Sequence, residues 1–145
     1  MHEELGAIRR ILLAILLIGL VGLGIELLLL KHDEGATQLI PLALIGLALV
    51  TIVWYEAKPA GVSLAALQIT MVLCVAAGAL GIVIHYQANV EFQREVDPSI
   101  AGRALFVKAI TAKTPPALAP GSMSQLGLIG LAYAYLHSSR VAPRK

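Results

Sequence analysis

The sequence predicts an all-α integral membrane protein, a four-transmembrane-helix bundle with a short interfacial helix between its third and fourth spans. Three observations carry this expectation. Four long apolar runs, residues 11–30, 39–55, 64–84 and 123–136, make up about half of the 145 residues. Glu26 is the only charged residue inside any of them. The segments joining the first three runs are short and polar. A helix rising about 1.5 Å per residue needs roughly 20 residues to cross a hydrocarbon core about 30 Å thick. Backbone groups in lipid must find their hydrogen bonds within the segment, so the runs are expected to be helices.

Composition agrees with this class. The chain is 58% hydrophobic with a mean hydropathy of +0.82, which leaves room for spans and one connecting segment in a single domain, 1–145. A net charge of +2, with Lys and Arg scattered over turns and tails, makes no basic stripe, and nucleic acid is not an expected partner. The lone cysteine, Cys74, lies in an apolar run and reads as a small core residue.

The first span, about 11–30, follows Arg9-Arg10, as a signal peptide would. It is too long for a secretory apolar region of about 7 to 15 residues, it reaches Leu30 without a small-residue cleavage site, and it reads as retained. The polar turn at 31–37 makes the second span, about 39–55, its antiparallel neighbour. That span closes on Trp54-Tyr55, the aromatic pair expected at the headgroups, before the 56–61 turn leads to the third span, about 64–84.

The long connection that follows carries Asp97-Pro98, an N-cap acid and a first-turn proline. Ile100, Ala104, Phe106, Val107, Lys108 and Ile110 suggest a partly amphipathic helix over about 98–112, ended by Pro115-Pro116. It is expected along the membrane surface, the alternatives being docking on the bundle or a shallow re-entrant path. The fourth span, about 120–137, opens with Ser122 and Gln125 at capping-box spacing. Its tyrosines Tyr133 and Tyr135 read as an aromatic belt. Six Lys and Arg flank the spans on the side of the N-terminus and five on the other, where they are diluted along the connection. This places both termini in the cytoplasm.

Two glycine stripes lead to ionisable residues, Gly19 and Gly22 to Glu26 in the first span and Gly78 and Gly81 to His85 in the third. Steps of three and four put each set on one helical face, and glycine there lets another helix approach closely. Gly127 and Gly130 repeat the spacing in the fourth span without a charge, which favours plain helix packing over two related hairpins. Glu26 and His85 are expected near each other, with His32, Asp33, Glu34, Asn89 and Glu91 around them as a candidate polar site. Carboxylate plus imidazole suits a proton or a divalent metal. No catalytic residue and no cofactor is assigned, and a divalent cation enters only through that site.

The first functional reading is a non-enzymatic scaffold or accessory subunit that associates with itself or with a larger membrane complex through glycine-rich helix faces. The alternative is transport or sensing of a proton or divalent metal through Glu26 and His85. A membrane enzyme acting on a lipid-soluble substrate is the third.

Overall fold

The computed structural model describes residues 2–31 and 35–141, with side chains over 3–31 and 35–135. Among these residues the chain is all-helical, with α1 at His2–Leu29, α2 at Ala36–Ala57, α3 at Gly61–Val96, α4 at Gly102–Ile110 and α5 at Gly121–Val141. α1, α2 and α3 are long and apolar enough to cross a membrane.

Local chemistry sets the ends. α1 closes with Lys31 in the left-handed region at φ 51. Between α2 and α3 the Ser63 hydroxyl accepts the Ala60 N–H at 3.0 Å and donates to the Lys58 carbonyl at 2.8 Å, which ties a connection of three residues. α3 is 36 residues long, about 54 Å, far more than the hydrocarbon core requires. Its apolar run ends at Ile84, so the polar turns from His85 to Val96 continue the helix beyond it.

The connection after α3 differs from the sequence expectation in two places. Asp97 ends α3 instead of starting the next helix: its N–H bonds to the Gln93 carbonyl at 3.0 Å, and the following proline disfavours continued α geometry. Its carboxylate accepts the Ser99 hydroxyl at 2.6 Å and N–H at 3.1 Å, which holds it below the usual carboxylate range. The next helix then begins at Gly102, at φ 57, and not near 98. Its buried face is also not the one expected. Leu105 and Ala109 pack inward while Val107 is exposed, because α4 docks on α3, where the Phe106 and Tyr86 rings stand 6.0 Å apart.

α3 packs most extensively on α5 and then on α2; α1 lies against α5 and α2. Between them is one core, built from Leu16 and Leu20 of α1, Ile45, Ala48 and Ile52 of α2, Leu67, Met71 and Cys74 of α3, and Met123 and Leu126 of α5. The buried hydroxyls of Thr51 and Thr70 are spent on their own helices, on the Ala48 and Ala66 carbonyls at 3.0 and 2.9 Å. Buried hydroxyls in apolar helices need such partners.

Candidate functional site

The polar groups with defined tasks lie along one stripe of α3, and the stripe grows out of the glycine pattern. Steps of three and four carry it from Gly78 through Gly81 and His85 to Asn89. The glycine half admits backbone. A Cβ at Gly78 would stand 2.6 Å from the Ser124 nitrogen and 2.7 Å from the Pro120 carbonyl oxygen, and one at Gly81 would stand 2.7 Å from Pro120 Cβ. The polar half holds carbonyls. His85 Nδ1 lies 3.0 Å from the Pro116 carbonyl oxygen, to which its N–H donates in the matching tautomer. Asn89 is buried, and its Nδ2 donates to the Ala109 carbonyl at 3.1 Å and the Pro115 carbonyl at 3.0 Å.

The segment from α4 to α5 therefore returns along α3 from the level of Asn89 to that of Gly78, about 16 Å by helix rise. Gly78 lies six residues inside the apolar run that ends at Ile84, so irregular backbone reaches apolar depth. Such backbone persists only where protein covers it and its polar groups are satisfied. Pro115, Pro116 and Pro120 help by having no N–H to satisfy. Asn89 and His85 take the exposed carbonyls, and Ser122 donates to the Ala119 carbonyl at 2.9 Å instead of forming the expected capping box. Ser124 closes the seam by donating to the Val75 carbonyl at 2.9 Å.

The other expected site residues are distributed differently. Glu26 is exposed on α1, which packs on α2 and α5, while His85 faces the proline segment on α3. The fold thus gives these two residues separate surroundings, and two matching stripes do not make one site because α1 and α3 are not neighbouring packed helices. Glu91 lines an open groove of about 560 Å³ along the end of α3 with Tyr86, Gln87, Val90, Arg94 and Glu95. His32, Asp33 and Glu34 lie outside the described residues. Among the described residues no group of three His, Cys, Asp or Glu side chains converges as metal ligands would.

The six stripe glycines also separate. Gly127 and Gly130 of α5 press on Met71 and Val75 of α3, and Gly19 of α1 faces the Leu126 side chain of α5. Gly22 is exposed with nothing within 4 Å of its Cβ position. The buried side chains Leu16 and Leu20 set the inward face of α1, and Gly22, two residues beyond Leu20, points away from it.

A second polar contact joins the far ends of the helices and was not anticipated from the sequence. The buried Tyr133 hydroxyl of α5 donates to Glu56 Oε1 at the end of α2, with Arg9 of α1 and Tyr55 within electrostatic reach. The signal available in the sequence was depth: Arg9, Tyr55-Glu56 and Tyr133 all fall where helices of alternating direction reach the same end. Tyr133→Phe is expected to lower stability by about 1 kcal/mol or less, since Glu56 is exposed, as read by unfolding in mixed micelles. A loss of several kcal/mol would mean that the contact anchors the whole end. Neither the family models, the curated proteins nor the solved structures compared with this chain give a match.

Proposed function

We propose that the protein is a four-span membrane scaffold or accessory subunit, in which α1, α2, the apolar part of α3 and α5 cross the bilayer and both termini face the cytoplasm. The observation that carries this reading is how the interior is used. The space between the long helices is filled by apolar side chains, and the buried hydroxyls of Thr51 and Thr70 and the half-buried one of Ser124 are spent on backbone carbonyls. His85 and Asn89, the residues nearest to a conducting or ligating role, hold the proline segment in place. What the molecule offers to others is its outer helix surface and the short extramembrane cap of α3 and α4.

The topology has its own test. Cysteines replacing Lys58 and Lys113 in a Cys74→Ala background are expected to react with an impermeant maleimide from opposite sides of sealed vesicles. Labelling of both from one side would remove the four-span arrangement. The accessory role is tested by isolating the full chain from its native membranes in mild detergent and weighing the assembly by native mass spectrometry. A fixed stoichiometric complex is expected. A chain that always runs as a single copy without partner would overturn the reading.

A further inference from the structure

We propose that two copies of the chain pair in parallel through an isoleucine stripe on α1, an inference that rests on the scaffold reading and names its partner as a second copy. Between Ile8 and Leu27, α1 sorts its aliphatic residues by shape. Its five isoleucines, Ile8, Ile11, Ile15, Ile18 and Ile25, are all exposed, Ile18 at 74%. Every leucine from Leu12 to Leu27 lies in or against the core. Lipid asks only that its neighbours be apolar and gives no reason for this division.

The spacing supplies the reason. Ile8, Ile11, Ile15, Ile18, Gly22, Ile25 and Leu29 follow one another at steps of 3, 4, 3, 4, 3 and 4. This is the a and d spacing of a coiled coil over three heptads, with isoleucine at five of its seven layers, and the close backbone approach that singles out two strands comes from the glycine layer. The pattern complements itself. Copies inserted in the same sense pair in parallel about a two-fold axis along the membrane normal, so each layer meets its own equivalent. Gly22 occupies the single layer without a knob, and nothing of its own chain lies within 4 Å of its Cβ position, so the two backbones approach most closely there.

The area suffices. Six aliphatic side chains, each between 47% and 78% exposed, cover on the order of 500 Å² per copy when packed, so about 1,000 Å² for the pair, the lower bound of a specific interface. The stripe runs the length of the apolar part of α1, and the leucines that pack into or against the core, with Leu16 and Leu20 at their centre, lie on the opposite side of that helix.

Single cysteines in the full-length Cys74→Ala chain, reconstituted at low density in phosphatidylcholine vesicles, test the pair. Oxidation is expected to yield disulfide dimers at Ile11→Cys and Ile18→Cys at least tenfold faster than at Ile69→Cys or Val53→Cys, which are exposed on α3 and α2. Gly22→Leu is expected to abolish the dimer while leaving the unfolding midpoint of the single chain unchanged, because the new side chain enters open space. Equal, slow crosslinking at stripe and control positions would overturn the proposal and assign the face to lipid. A one-copy chain held in a complex with a different subunit would overturn this inference alone; a dimer that joins no other subunit would support it and narrow the scaffold to self-association.

Discussion

Gly127→Leu is expected to detach α5 from α3 and to cause the largest loss of stability of any substitution considered for this protein. A Cβ at this position would stand 2.6 Å from the Met71 carbonyl oxygen and 2.9 Å from the Val75 nitrogen. Both are backbone atoms of α3, which cannot turn aside as the end of a side chain can. Overpacking of a well-filled interface costs about 1–3 kcal/mol and more where backbone must move. The α3 and α5 contact is the most extensive between any two helices, so about 3 kcal/mol or more is expected. Unfolding in mixed micelles followed by circular dichroism reads this, with Gly127→Ala intermediate and Gly22→Leu close to zero in the monomer. Equal effects at Gly127 and Gly22 would show that the two helices do not meet through this face.

Asn89→Leu is expected to release the proline segment without unfolding the long helices. The substitution nearly keeps the volume but leaves the Ala109 and Pro115 carbonyls without their donor. An unsatisfied buried carbonyl costs about 1–3 kcal/mol, and the part-buried Pro115 carbonyl costs about 1 kcal/mol, so the pair is worth roughly 2–4 kcal/mol. At about 1.4 kcal/mol per decade, this is a roughly 30- to 1,000-fold increase in local opening. Hydrogen exchange of the amides between 104 and 114 is expected to accelerate by that factor, with those of α2 unchanged. The exposed Gln87→Leu on the same helix serves as the control. Unaltered exchange in the Asn89 variant would mean that packing against Gly78 and Gly81 holds the segment by itself.

Both effects arise from residues whose importance the sequence partly announces. Asn89 and His85 stand out as polar residues at the end of an apolar run, and the glycine stripe leading to them is legible by spacing alone. Their partners are not. The Pro115 and Pro116 carbonyls lie 26 and 31 residues away in sequence, and a hydrogen bond across that distance leaves no local periodicity to read. The same holds for Tyr133 and Glu56, each of which has a sufficient local explanation as an interfacial aromatic and a turn acid.

Hydropathy and helical period by themselves pointed to a helical membrane chain with four apolar runs, and among the described residues three of its helices are long and apolar enough to cross a membrane, because the energy of apolar burial and the backbone's need for internal hydrogen bonds depend only on composition and length. The tertiary structure alone decided which surfaces face protein and which face outward. Gly22 and Gly78 sit in the same sequence pattern, yet one is open and the other is filled by Pro120 and Ser124. Lipid and protein interior are both apolar, so a residue type suited to one is suited to the other. Only the arrangement of neighbouring helices distinguishes a packed seam on α3 from an exposed stripe on α1.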